Sequence, residues 1–352
     1  MAETIKILYN KWENSMKNKI LNIAVVIMSS VIFLYFFVYL NGLNQLIKII
    51  KEINVLWFLV ALALMLIYWA LETFIIHELT RLLFPEQKFR KSVKAAMIGQ
   101  FFGSITPFQT GAQPAIFYDF IEEGIESGSA SSILMIKFIV HQTTITIYSF
   151  IIILLKFNYF KPLVSGLFYL CLLGFAFNLG IILMAVMFSI NSRFTNGLLL
   201  SIIKVLNKIK LVQKGKSQGK IEKNLNDFHN NAIMIAKNYK VIIRVAIINA
   251  SQLTVFYVIP YFIYRSFNLS SASLWDMLSA QTLVMMIVSI TPLPGGSVGA
   301  EGGFALLFSL FFKENILPAV ILWRLITYYT CIFIEALFAV RLPKNILNKD
   351  EI

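Results

Sequence analysis

Stretches of roughly 20 residues with almost no charge recur along this chain, and they decide most of what it is able to become. Ile20–Leu40 and Val55–Leu71 are two of them. At about 1.5 Å per residue, a helix of that length crosses a hydrocarbon core about 30 Å thick. The sequence therefore reads as an all-α polytopic membrane protein. Composition agrees: 58% of the residues are hydrophobic, 14% are charged and mean hydropathy is +0.74. A soluble domain carries roughly 25% charged residues. Aromatic residues make up 14% of the chain, and many fall near predicted helix ends, as interfacial anchors do.

The formal net charge of +13 follows from Lys and Arg in the connections between spans. In a membrane protein that bias reports the cytoplasmic side rather than a nucleic-acid partner. Cys171 and Cys331 lie within apolar spans and the three histidines are scattered, so no metal signature arises. The first apolar run follows a polar segment and lacks a small-x-small cleavage site, which makes it an anchor rather than a cleaved signal.

Along the chain, Ile5, Leu8, Trp12 and Met16 recur at helical spacing among lysines, predicting an amphipathic helix on the cytoplasmic surface. Full spans are expected near Ile20–Leu40, Val55–His77, Ser131–Leu155, Leu163–Ile190, Val241–Tyr264 and Ile316–Val340. Two apolar but broken segments, Ala95–Phe120 and Leu278–Phe312, stand among them. The long polar loop Asn191–Lys240 carries ten Lys/Arg against Glu222 and Asp227, and ends in a helical stripe of Ile221, Leu225, Phe228, Ala232, Ile235 and Tyr239. It is a topology signal with a surface helix, and its charge also suits anionic lipid. The N-terminus, Arg81–Lys94, this loop and the C-terminus are all basic. All four face the cytoplasm only if each broken segment enters and leaves on one side, as a re-entrant hairpin. The expected architecture is one membrane domain over residues 1–352, with six spans, two hairpins and both termini in the cytoplasm. The first repeat covers about 55–156 and the second about 241–341.

The broken segments are related. One reads Ser104-Ile-Thr-Pro-Phe-Gln-Thr-Gly-Ala-Gln-Pro114 and the other Ser289-Ile-Thr-Pro-Leu-Pro-Gly-Gly-Ser-Val-Gly-Ala-Glu301. Recurrence of Ser-Ile-Thr-Pro inside two apolar segments, each with a span before and after, points to an internal repeat. Pro ends a helix and Gly tolerates unusual backbone, so each tip leaves polar backbone groups at membrane depth. Such groups survive only inside protein or beside a wet cavity. Hairpins entering from opposite sides form an inverted repeat, whose binding site lies where the tips meet.

Charges within the spans are the other candidates, because each costs about 2.5–3.5 kcal/mol at the bilayer centre on insertion scales. Lys137 and His141 are four residues apart on one helix face; Glu72, Glu301, Arg324 and Glu335 lie in other apolar segments. Arg324 is expected to face inward and to pair with Glu301, Glu72 or the Gly295–Gly299 backbone. A cation beside exposed backbone N–H groups suits a phosphate or carboxylate head group. The candidate lipid-binding residues are therefore Thr106, Pro107, Gly111, Gln113, Lys137, His141, Thr291, Pro292, Gly295, Gly296, Gly299, Glu301 and Arg324. No GxSxG, HExxH or P-loop is present, so no catalytic residue, metal or cofactor is expected.

Gly99–Pro114, Thr291–Glu301 and Arg324-Leu-Ile-Thr-Tyr-Tyr329 together resemble the flippase-like family that includes the transmembrane region of lysylphosphatidylglycerol synthase, also called multiple peptide resistance factor. The resemblance covers roughly Ile20 to Arg341. The first motif departs from the family form, which has Gly-Gly and a following basic residue where this chain has Gly111-Ala112-Gln113. The resemblance implies movement of a phospholipid, aminoacyl-phospholipid or lipid-linked glycan between leaflets of the cell membrane, with anionic lipid as partner. Two other readings stand beside it. One is a phosphatidylglycerol lysyltransferase of lipid metabolism and cationic peptide resistance, although these 352 residues are not expected to include the cytosolic acyltransferase domain of the synthases. The other is a membrane scaffold for a lipid-modifying enzyme such as a glycosyltransferase.

Overall fold

Lipid offers the backbone no hydrogen-bonding partner but itself, and the chain answers with helices. The computed structural model describes residues 53–163, 165–190 and 218–339, and every regular element in them is helical. In order these are α1 (Val55–Leu83), α2 (Phe89–Ser104), α3 (Ala112–Glu122), α4 (Ser127–Leu163), α5 (Ser165–Ile190), α6 (Gln218–Lys237), α7 (Tyr239–Ser266), α8 (Leu274–Ser289), α9 (Gly299–Phe312), α10 (Ile316–Arg324) and α11 (Thr330–Ala339). The expected N-terminal surface helix, the span Ile20–Leu40, the loop residues 191–217 and the basic residues Arg341, Lys344 and Lys349 lie outside the described residues.

Local chemistry sets the ends. Asn54 Oδ1 accepts the Leu56 N–H at 3.1 Å to start α1, and Ser273 Oγ accepts the Asp276 N–H at 3.1 Å to start α8. Among the described residues five stretches are long and apolar enough to cross a membrane: Val55–Leu83, Ser127–Phe160, Tyr169–Ser189, Tyr239–Ser266 and Gly299–Ala339. The fifth is not one rod. A 3₁₀ turn at Lys313–Asn315 folds α10 back along α9, so that Phe304 stacks on Trp323 with ring centroids 4.6 Å apart. Beyond that turn it runs on as α10, a π turn at Leu325–Tyr329 and α11. The connection between the expected spans Ser131–Leu155 and Leu163–Ile190 is instead helical as far as Leu163, and Lys156 ties this end of α4 to Asp276 of α8 at 2.5 Å.

The stripe on α6 also behaves differently from a helix laid on lipid. Phe228, Ala232 and Ile235 are buried, α6 packs along α4, and Asn231 Nδ2 donates to Ser129 Oγ at 3.0 Å. Tyr239, just beyond its end, remains largely exposed.

The element order runs through twice. Helices of 29, 16 and 11 residues (α1 to α3) lead into the long α4, and helices of 28, 16 and 14 residues (α7 to α9) lead into the α10–α11 rod. Packing follows the same pattern. The two leading helices, α1 and α7, lie against each other, and the middle helix of each set contacts the closing helix of the other, α2 with α11 and α8 with α4.

Helix α5 approaches α8 with no side chain between the backbones. A Cβ on Gly174 would lie 2.2 Å from the Met286 carbonyl oxygen. One turn on, Asn178 donates to Ser289 Oγ at 3.0 Å and accepts from Gln142 Nε2 at 2.5 Å, pinning the end of α8 to α4 and α5. Small residues permit such approach in membranes, where packing rather than water drives association. Gly174→Ala is expected to cost about 1–3 kcal/mol by overpacking. Gly180→Ala, whose Cβ meets nothing within 4 Å, is the neutral control. Thermal unfolding of the two purified variants checks this.

Candidate functional site

Each broken segment is a helix that stops, turns and restarts, and the two turns are built alike. Helix α2 ends at Ser104 and α3 begins at Ala112; α8 ends at Ser289 and α9 begins at Gly299. In both, the threonine after the first helix bonds back one turn, Thr106 Oγ1 to the Phe102 carbonyl at 2.6 Å and Thr291 Oγ1 to the Ile287 carbonyl at 2.8 Å. A proline follows, then two residues of positive φ, then a hydroxyl that returns to the proline carbonyl. These are Pro107, Phe108 (φ 52°), Gln109 (φ 57°) and Thr110, against Pro294, Gly295 and Gly296 (both φ 61°) and Ser297.

The tips therefore register Pro107 on Pro294, not on the Pro292 of the repeated tetrapeptide. Pro292-Leu293 is a two-residue insertion in the second tip. The pair meets directly: Pro107 and Pro294 form an isolated antiparallel bridge. Behind them, Gly111 and Gly299 serve one purpose, since a Cβ on either would strike its own tip's threonine hydroxyl, at 2.9 Å for Gly111 and 2.1 Å for Gly299.

Arg324 closes the junction. Its side chain is only 5% exposed, with Nε 2.7 Å from Glu301 Oε1 and Nη1 donating to the Gly295 carbonyl at 3.2 Å. The guanidinium lies 5.1 Å from the ring centroids of both Trp323 and Tyr328, a cation–π seat. Glu301 is held in turn, its Oε2 accepting the Val298 N–H at 2.6 Å. Tyr328 reaches the other tip and donates to the Ser104 carbonyl at 3.3 Å. One helix turn thus straps both tips, and the π turn that begins right after Arg324 is of a kind frequent at functional sites. Arg324 Nη2 is buried without a hydrogen-bond partner among the described residues, as is Gln113 Oε1 behind the first tip. A buried donor left open costs about 1–3 kcal/mol, so this open amino group suits an anionic or carbonyl ligand.

Lys137 and His141 are elsewhere, in a second buried network. Lys137 Nζ lies 2.6 Å from Glu72 Oε1, and Gln252 Nε2 donates to Glu72 Oε2 at 2.9 Å. Asn249 Nδ2 lies 3.0 Å from both Gln252 Oε1 and His141 Nδ1. This clamp joins α1, α4 and α7. Breaking a buried pair from one side strands a charge. Glu72→Gln and Lys137→Met are each expected to destabilise by about 3 kcal/mol, and the double variant by clearly less than their sum. A double-mutant cycle on thermal unfolding measures it.

Asn249 and Gln252 are amides three residues apart in an apolar span, a pattern that marks them as site candidates beyond those predicted from the sequence, and Tyr328 belongs to the Arg324–Tyr329 motif without a role predicted for it. Glu335 is also paired, accepting from Trp69 Nε1 at 3.0 Å. Among the described residues no three His, Cys, Asp or Glu side chains gather to hold a metal ion.

Comparison with known proteins gives the chain a family. The family described as the lysylphosphatidylglycerol synthase TM region matches residues 20–334. A "UPF0104 membrane protein" from Archaeoglobus fulgidus is 26% identical over 295 residues, covering 82% of this chain and 88% of the relative. The buried Arg324 and both tips, Thr106–Gly111 and Thr291–Glu301, fall inside the matched region. With 315 of its 352 residues matched (20 through 334), the chain belongs to the family of the lysylphosphatidylglycerol synthase transmembrane region.

Proposed function

We propose that this protein binds a lipid with an anionic head group between its two tips and moves it between membrane leaflets. One observation carries the reading: a nearly fully buried arginine, fixed by Glu301 and Gly295 at the meeting of two broken helices, leaves its Nη2 amino group without a hydrogen-bond partner among the described residues. A guanidinium fork matches a phosphate in a way a point charge does not. Broken helices that meet inside a transporter are the usual frame for such a site. The bound head group accepts from Arg324 Nη2, while Thr106, Gly111 and Gln113 on one side and Thr291, Gly295, Gly296 and Gly299 on the other form the walls.

The same reading sets the protein in the cell membrane with both termini in the cytoplasm and the tips entering from opposite faces as an inverted repeat within one domain. The Glu72–Lys137–His141 network holds the two repeats together. Anionic phospholipid is the partner, and a lipid-modifying enzyme is a further one.

Native mass spectrometry of protein purified in mild detergent tests the binding half. Wild type is expected to retain an anionic phospholipid and Arg324→Lys to release most of it. Equal retention of zwitterionic and anionic lipids by both removes Arg324 from the site.

A further inference from the structure

The two tips share their proline, their hydroxyl back-bond and two successive residues of left-handed backbone, yet differ in what stands on that backbone. The second tip has Gly295 and Gly296, and the first has Phe108 and Gln109. A left-handed φ suits glycine and strains a side chain, more so a bulky one. Strain of this kind persists where the surrounding structure enforces it, and it gathers at functional sites.

Packing does not account for the two side chains. Phe108 is 48% exposed, and the aromatic ring it meets, Phe177 of α5, lies 6.3 Å away between centroids. Gln109 is exposed, and its backbone N–H donates to the Thr106 carbonyl at 3.2 Å, a bond glycine makes equally well. Thr110 and Gly111 already hold the turn through the Pro107 carbonyl and the Thr106 hydroxyl.

We infer that Phe108 and Gln109 are ligand-contacting residues of the first tip, kept on a backbone built for glycine because the bound lipid needs both. Arg324 supplies the charged donor from the side of the second tip. Gln109 supplies a neutral amide to a head-group or ester oxygen, and the Phe108 ring covers the apolar start of the acyl chains. From the proline through the hydroxyl the tips are thus alike in backbone and unlike in chemistry, diverging only at the next residue, Gly111 (φ −76°) against Val298 (φ 71°), and this lets one pair of turns grip both ends of the polar–apolar boundary of a lipid. This deepens the lipid reading above and rests on it.

The test uses the purified full chain in phosphatidylglycerol-containing proteoliposomes, with fluorescent-tailed phosphatidylglycerol as probe and an impermeant quencher to read its leaflet. Phe108→Gly with Gln109→Gly is expected to raise the unfolding temperature by about 2–4 °C while slowing translocation tenfold or more. Phe108→Ala with Gln109→Ala is expected to slow translocation as much without the rise, since alanine keeps the strain. Glycine variants that translocate at the wild-type rate overturn the inference and leave the lipid reading standing. Absence of any rise in the glycine variants overturns it too, by removing the strain. A wild type that neither binds nor moves the probe overturns the lipid reading, and this inference with it.

Discussion

Arg324→Ala is expected to abolish lipid translocation and to lower stability by about 3–5 kcal/mol, whereas Arg324→Lys loses transport with a smaller loss of stability. The alanine variant removes the Gly295 contact and both cation–π seats at once, and leaves Glu301 facing an apolar gap. Glu301 is 20% exposed on its side chain, so part of its charge is screened and the lower end of that range applies. Lysine keeps the charge near Glu301 but replaces a planar fork with a point charge. A third variant separates the roles. Arg324→Met combined with Glu301→Gln removes both charges, and is expected to recover most of the stability and none of the transport. Thermal unfolding beside a leaflet-resolved assay reads all three. Full transport by the double variant would contradict a binding role for the arginine.

Gly295→Ala is the second large effect. At φ 61° a Cβ is strained, and it would lie 2.2 Å from a ring carbon of Tyr328. That ring flanks Arg324 and bonds to Ser104 of the other tip, so moving it disturbs the arginine and the strap together. Strain and overpacking add to about 2–4 kcal/mol, with loss of bound lipid. Gly302→Ala, seven residues on in α9, meets nothing within 4 Å and is expected to be neutral or slightly stabilising. Comparable damage from both would point to general intolerance of the hairpin and away from the Tyr328 contact.

Much of this was legible in the sequence, and the reasons are physical. Length and apolarity identify the spans because a bilayer has one thickness. Pro and Gly mark the tips because they are the residues that interrupt a helix. Arg324 was placed near Glu301 and the Gly295 carbonyl because an arginine at that depth needs a protein partner, and both are there.

What escaped was register and partnership. Ser-Ile-Thr-Pro aligned Pro107 with Pro292, but backbone conformation aligns it with Pro294, because positive φ rather than residue identity defines the turn. Lys137 and His141 share a helix face, as their spacing requires, but nothing local told that Glu72 of α1 and Asn249 and Gln252 of α7 would meet them. The positive φ of Phe108 and Gln109 had no sequence signal at all, since neither residue favours that region. It emerges only from comparison of one tip with the other.

The most direct test of the central claim is leaflet-resolved transport of fluorescent-tailed phosphatidylglycerol in proteoliposomes of wild type, Arg324→Lys and Gly180→Ala. Rapid access of an impermeant quencher to the inner-leaflet probe is expected for wild type and Gly180→Ala, and protein-free rates for Arg324→Lys in equally folded protein. Wild-type transport by Arg324→Lys, or protein-free rates for the wild type, would contradict a lipid path through the junction of the two tips.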